Sequence, residues 1–92
     1  MKHKYGIFKT DGSVEFIYTE NELALDTMQK IVGGNIERVH PAFSEGKIQE
    51  PHEVYVHEEG KFEQLERNSH FNEFTTDYLA GDALVHYLEA QL

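Results

Sequence analysis

Histidines and carboxylates are the residues of this 92-residue chain most able to bind a metal or transfer protons. His52 and His57 are five positions apart, with three glutamates beside them. On a β-strand an odd spacing directs two side chains to opposite faces, so these two imidazoles cannot bind one ion together. The run also misses the helical H-E-x-x-H pattern by one residue. The sequence predicts no metal site, and it leaves His40 and His86 unassigned.

Patterns for nucleophilic catalysis and for phosphate binding are both lacking. No serine lies in a G-x-S-x-G sequence, and the neighbours Ser69 and His70 carry no information about triad geometry. Gly33 and Gly34 follow a predicted helix, whereas the glycines of a phosphate loop precede one. We therefore predict no catalytic residues and no cofactor, and we favour a binding protein over an enzyme. A small enzyme or ligand-binding domain, with a site not recognisable from sequence, is the alternative.

Negative charge is concentrated in the later part of the chain. Residues 1–40 hold six acids and five bases, a net charge of −1, whereas residues 41–92 hold eleven acids and three bases, a net charge of −8. Such a field repels phosphate backbones and anionic lipids, which disfavours direct binding to nucleic acid or membranes. The candidate surface for a basic protein partner comprises Glu45, Glu50, Glu53, Glu58, Glu59, Glu63 and Glu66. A surface charged for solubility is the competing explanation.

Spacing within this acidic run suggests one specific form of protein binding. Carboxylates at alternate strand positions lie about 6.6–7 Å apart, close to the spacing of phosphates along a nucleic-acid strand. The run could therefore occupy a host protein that binds nucleic acid. Apolar residues at Val54, Val56 and Phe62 interrupt it, and a solvated strand face accounts for the same pattern.

Length and composition indicate one folded domain over residues 1–92. The hydrophobic fraction of 39%, with five tyrosines and six phenylalanines, is too high for a disordered chain. There is no cysteine for a disulfide or a thiolate metal site. No signal peptide or run of roughly 18 apolar residues is present, which favours a cytoplasmic location.

The first elements predicted are a hairpin and a helix. Strands at 4–10 and 14–19 flank Asp11-Gly12, which predicts a two-residue turn. With that turn, five side chains would share the face of the hairpin that points to the core: Tyr5, Ile7, Val14, Phe16 and Tyr18. A helix over 20–32 would begin with a capping box of Thr19 and Glu22. It would end at the two glycines, one of them in the left-handed conformation.

Later elements are a strand at 36–40, a loop from 41 to 52 anchored by Phe43 and Ile48, and a second hairpin. The hairpin pairs 53–57 with 61–65, with Gly60 left-handed and Val56 opposite Phe62. A helical turn is expected over 72–79. The last segment is either a helix over 83–92 or a strand over 83–88, because short apolar runs do not separate the two.

Together these elements predict an α+β fold, a mainly antiparallel sheet of about five or six strands with one main helix packed on it. Aromatic residues are spread over both predicted sheet faces and exceed what so small a core can bury, among them Phe8, Tyr55, Phe71 and Tyr87. Either both sheet faces are packed, or a second copy covers the remainder as a homodimer.

Several short motifs resemble a small uncharacterised family carried largely by bacteriophages, plasmids and other mobile elements. The matching motifs, spread over residues 29–87, are V-G-G-N-I-E at 32–37, H-E-E-G at 57–60, Leu65 with Asn68, and G-D-A at 81–83. His57 stands where the family pattern has Asp, and the Pro often found before the Asn is absent. The resemblance implies a compact α+β fold with a strand near 81–87 and supplies no catalytic residues. A mobile-element setting implies a small accessory protein that binds or inhibits a host protein.

Overall fold

A computed structural model describes residues 2–89 and contains one five-stranded antiparallel sheet with one α-helix. In chain order the elements are β1 (His3–Phe8), β2 (Val14–Thr19), α1 (Leu25–Val32), β3 (Ile36–Arg38), a 3₁₀ turn (Pro41–Phe43), β4 (His52–His57) and β5 (Ala83–Tyr87). The strands lie side by side in the order β2-β1-β5-β4-β3. The predicted α+β fold is confirmed, with five strands.

Strand β5 is the centre of the sheet. It pairs with β1 over residues 83–87 and with β4 over residues 84–87, so it has a neighbouring strand on each side. Ala83, Leu84 and Val85 are completely buried, because both faces of the strand are covered. Of the two structures predicted for this segment, the strand is correct. Residues 90–92 of the alternative helix lie outside the described residues.

Two hydrophobic layers cover the two faces of the sheet. On one face α1 packs over Tyr5, Leu84 and their neighbours, with Val32 as its buried contact. On the other face, the segments that connect β3, β4 and β5 cover the sheet with Phe43, Phe71 and Leu79, among other residues. Packing of both faces therefore accommodates the aromatic residues at Phe8, Tyr55, Phe71 and Tyr87.

The predicted register of the first hairpin is wrong by one residue. The Lys9 amide donates to Ser13 O, and Gly12 has a φ of 93°, so the loop has three residues and the left-handed glycine closes it. Phe8 consequently lies opposite Val14. The predicted common face is split: Tyr5 and Ile7 lie under α1, whereas Val14, Phe16 and Tyr18 lie on the opposite face.

The helix starts five residues later than predicted, at Leu25. Ala24 is its N-cap and makes no side-chain capping bond, and the Thr19 hydroxyl instead donates to Asn21 O. The Leu23 amide donates to the Tyr5 hydroxyl at 3.0 Å, which holds the preceding loop against the sheet. The predicted end of the helix is confirmed, because Gly33 is left-handed with a φ of 92°.

Strand β3 is confirmed over Ile36–Arg38, and the loop after it is anchored as predicted, since Phe43 is buried and Ile48 packs beside it. The second hairpin is wrong. Both edges of β4 are already occupied by β3 and β5, which leaves no edge for residues 61–65. These residues form turns instead, and Phe62, expected opposite Val56, is 86% exposed.

Two further local predictions, for Gly60 and for residues 72–79, are wrong. Gly60 is buried and does not have a positive φ; a Cβ there would lie 2.9 Å from the Ala80 carbonyl oxygen, so close packing is what requires glycine. The expected helical turn over 72–79 is a tight reversal, in which Phe74 and Asp77 form an isolated β-bridge. It buries Leu79 against the sheet, as an irregular segment can.

Candidate functional site

The seven glutamates predicted as a partner-binding surface are distributed along and beyond β4. Glu45 and Glu50 precede the strand, Glu53 lies within it, and the remaining four follow it: Glu58, Glu59, Glu63 and Glu66. An extended strand rises about 3.3 Å per residue, so the two ends of this six-residue strand are roughly 17 Å apart. The structure thus forms an acidic group at each end of β4.

Two of these glutamates make contacts within the chain. The Glu53 carboxylate accepts a hydrogen bond of 2.5 Å from the Tyr55 hydroxyl and lies 3.5 Å from the Arg38 guanidinium. Glu63 lies 2.6 Å from His57 Nε2. Because His57 Nδ1 accepts the Glu59 amide, Nε2 must carry a proton and donates it to Glu63. Both carboxylates therefore contribute intrachain contacts that stabilise the fold.

The other five carboxylates, of Glu45, Glu50, Glu58, Glu59 and Glu66, are exposed. Among residues 2–89 no ion pair engages any of them, and two of the three bases of the later half have other partners. Lys61 pairs with Asp77, and Arg67 pairs with Glu73 at 3.0 Å. The negative field of the later half therefore remains uncompensated at these positions.

Strand β2 forms one edge of the sheet and carries exposed apolar side chains. Val14 is 38% exposed, and Phe16 and Tyr18 are each 45% exposed on the face opposite α1. The ladder alternates, and Lys9 donates inward to Ser13, so the N–H and C=O groups of Val14, Phe16 and Tyr18 point away from β1. We call this strand edge and its three side chains the β2 edge.

The opposite edge of the sheet is constructed differently. Strand β3 is only three residues long and exposes the charged side chains of Glu37 and Arg38. Short, charged edge strands resist pairing with other chains, whereas a longer edge with apolar side chains invites it. Of the two edges, β2 is therefore the longer and the more apolar one.

Three potential metal ligands meet on the α1 side of the sheet. The side chains are His3 on β1, His86 on β5 and Glu22 in the loop before α1, and their ligand atoms all lie within 4.8 Å of one another. The His86 ring is stacked on Tyr5, with centroids 4.4 Å apart, and burial lowers the pKa of His86. We call these three side chains the His3–Glu22–His86 cluster.

Sequence reasoning did not find this cluster. His3 and His86 are 83 positions apart, and only the pairing of β1 with β5 brings them to the same sheet face. No spacing rule within one element could indicate it. The one signal was that His86 falls two positions after Leu84, on the same face of a strand that the sequence left undecided.

A network of Glu53, Tyr55 and Arg38 lies next to this cluster. Burial and the neighbouring carboxylate raise the pKa of Tyr55 to about 12. The hydrogen bond from Tyr55 lowers the pKa of Glu53, and Arg38 lowers it further. Glu53 lies directly opposite His86 in the β4–β5 ladder, so this carboxylate adds negative charge beside the imidazole.

Ser44 and His52 form the one serine–histidine pair among the described hydrogen bonds. Ser44 Oγ lies 2.8 Å from His52 Nε2, and His52 Nδ1 lies 2.7 Å from the carbonyl oxygen of Glu50. The carbonyl can only accept, so Nδ1 carries a proton. In the neutral ring Nε2 is then an acceptor, and it competes for the one Ser44 hydroxyl proton with the Pro41 carbonyl oxygen, 3.2 Å away. This is the arrangement of a nucleophile and its base, but Ser44 is only 2% exposed. The pair instead anchors the loop that leads into β4.

Most motif residues that resemble the uncharacterised family have structural roles. Gly33 ends α1, and a Cβ on Gly34 would lie 2.4 Å from His57 Nε2. The amide of Asn68 donates to two backbone carbonyls, and Asp82 Oδ1 accepts the Thr10 amide at 2.9 Å. These motifs identify the fold and not an active site.

Comparison with known proteins gives one result. The chain matches the family described as Domain of unknown function (DUF3846) over residues 7–91, and it belongs to that family. The predicted resemblance to an uncharacterised domain family is thereby confirmed, over a longer span than the motifs indicated. No curated protein and no solved structure matches the chain. Within residues 2–89, no helix has the length and apolar character needed to cross a membrane.

Proposed function

We propose that this DUF3846 domain is a small protein-binding accessory protein, of the type carried by bacteriophages and mobile elements and acting in the cytoplasm. The observation that carries the proposal is the β2 edge, which combines free backbone hydrogen-bonding groups with three exposed apolar side chains. The occupant we propose for this edge is a second copy of the chain.

Self-pairing of β2 satisfies the backbone groups at its free edge and brings its exposed apolar side chains together. In an antiparallel pair with its twofold axis at Phe16, Val14 lies opposite Tyr18 of the second copy, and the two Phe16 side chains meet. The apolar row then continues across both copies on one face of a ten-stranded sheet. Glu15 lies opposite Ile17 of the second copy, so no like charges are directly opposed.

Charge also favours the β2 edge over other surfaces for this contact. Residues 2–19 contain Lys2, Lys4 and Lys9 against Asp11 and Glu15, a net charge of +1. Lys9 pairs with Glu15 at 3.4 Å, and Lys4 lies 4.7 Å from the centre of the Phe16 ring. Two copies can therefore approach through this region although each chain carries a net charge of −9.

The expected mass in solution tests the self-pairing. Sedimentation equilibrium should give twice the mass of one chain for the wild type, and Phe16→Lys should be monomeric because it places two lysines together at the axis. Phe62→Lys, a matched change at an exposed position away from β2, should remain dimeric. Circular dichroism checks that each variant is folded. A wild-type monomer, or a Phe16→Lys dimer, would refute the β2 contact.

The exposed acids favour a second partner, a basic host protein. Glu58 and Glu59 lie at one end of β4 and Glu45 and Glu50 at the other, and none is neutralised within residues 2–89. Self-pairing through β2 leaves these positions free in both copies. The partner we propose is a nucleic-acid-binding protein, because its basic surface complements carboxylates as it complements phosphates.

Salt and charge variants test this partner. Protein captured from host lysate at low salt should be a nucleic-acid-binding protein and should be released at 1 M salt, where the Debye length is about 3 Å. The double variant Glu58→Gln/Glu59→Gln should capture several-fold less. The control Asp26→Asn/Glu37→Gln removes the same charge from the first half and should capture as much as the wild type. The proposal would be contradicted if the amount of captured protein were the same at low and high salt and the same for the wild type and the Glu58→Gln/Glu59→Gln variant.

A further inference from the structure

The His3–Glu22–His86 cluster consists of two imidazoles and one carboxylate from three separate parts of the chain. The ligand atoms lie within 4.8 Å of one another. Within the described residues, no hydrogen bond or ion pair engages these three side chains. The three side chains thus lie close together without forming a hydrogen bond or an ion pair with one another, which leaves space between their ligand atoms.

We propose that the His3–Glu22–His86 cluster is a binding site for a divalent transition metal such as Zn²⁺. Two imidazole nitrogens with one carboxylate oxygen are a ligand set that zinc uses in proteins, with a fourth position left for water. Imidazole ligands select against Ca²⁺ and Mg²⁺, which prefer oxygen. The site is separate from the β2 edge and from the exposed acids, so the metal-site proposal does not depend on the proposed function.

The geometry requires only a small closure. Bonds of about 2.0–2.2 Å place tetrahedral ligand atoms roughly 3.3 Å apart, so the cluster must contract by about 1.5 Å. Glu22 is exposed, and its side chain can rotate without breaking a hydrogen bond or an ion pair in the described part of the chain. The two histidines lie on paired strands, with ring centroids 5.8 Å apart. The sheet thus supplies the pair of imidazoles, and the carboxylate closes on it.

Neighbouring groups support the ligands in position. The Tyr5 ring stacks on His86, and the Tyr5 hydroxyl holds the Leu23 amide, adjacent to Glu22. One tyrosine therefore packs on one ligand and holds the backbone next to a second. Supporting residues of this kind fix the rotamers of metal ligands and raise affinity. A bound ion would tie the loop before α1 to the centre of the sheet.

Calorimetric titration of tag-free protein with Zn²⁺ tests the site. We expect saturable binding of one ion per chain to the wild type, and at least about a tenfold rise in Kd for both Glu22→Gln and His3→Ala. The control variants Glu58→Gln and His40→Ala, which alter exposed residues outside the cluster, should bind as tightly as the wild type. Neither Glu22 nor His3 is in a core, so both test variants should fold.

A second measurement locates the ion directly. Imidazole resonances of His3 and His86, observed by NMR, should shift together on addition of one equivalent of Zn²⁺, and those of His40 should not. Adding EDTA should reverse both shifts. Absence of saturable binding, equal affinity in the Glu22→Gln variant, or shifts confined to other histidines would each overturn the proposal.

Discussion

Replacing Asn68 with alanine should lower the free energy of unfolding by roughly 2–4 kcal/mol, because several buried polar groups lose their partner. Asn68 is 1% exposed. Its amide nitrogen donates to Phe8 O at 2.7 Å and to Gly81 O at 3.0 Å, and its Oδ1 accepts the His70 amide. One side chain therefore joins the end of β1, the turn before β5 and the preceding loop.

Urea denaturation followed by circular dichroism measures this loss. Asn21→Ala, at an exposed position, is the control and should change stability by no more than about 0.5 kcal/mol. The Asn68→Asp variant should be less stable at neutral pH than Asn68→Ala, since a carboxylate would face two carbonyl oxygens. If Asn68→Ala proves as stable as Asn21→Ala, the buried hydrogen bonds described above are not formed.

Replacing Leu84 with alanine should lower the free energy of unfolding by roughly 2–5 kcal/mol, which is the cost of a cavity in a fully packed core. Leu84 is 0% exposed, in the central strand, and it packs with Tyr5 and Val32 beneath α1. It is a completely buried contact between the helix and the sheet. Its removal leaves a space that α1 and β5 cannot both close.

The matched control for this variant is Phe62→Ala, which removes a larger side chain from an 86% exposed position. It should cost no more than about 0.5 kcal/mol. The midpoint of chemical denaturation should therefore separate the two variants clearly. A Phe62→Ala loss comparable to that of Leu84→Ala would show that residues 61–65 are packed after all, as the predicted second hairpin required.

The motif residues that carry the family resemblance have structural roles. Asn68, Gly33, Gly34 and Gly60 each meet a demand of local geometry, through a buried amide, a helix end or a close approach. A short motif rich in turn residues therefore identifies this fold without identifying a reaction. The exposed residues outside the motifs, at the β2 edge and in the His3–Glu22–His86 cluster, are where function has to be sought.

Much of the local structure followed from sequence alone. Alternating apolar residues predicted β1, β2, β3 and β4, and Gly33 predicted the end of α1, because strand periodicity and left-handed glycines are properties of short segments. The excess of carboxylates after residue 40 is likewise a property of the chain. The α+β fold class required no more than these elements in order.

Tertiary structure decided the rest. The loop closed by Gly12 is one residue longer than predicted. Because side chains alternate between the two faces of a strand, this places Phe16 and Tyr18 on the face opposite α1. Occupation of both β4 edges prevented the second hairpin, and placement of β5 at the centre made a strand of an ambiguous segment. His3 and His86 meet only because β1 pairs with β5, and such long-range pairing leaves no periodic trace in sequence.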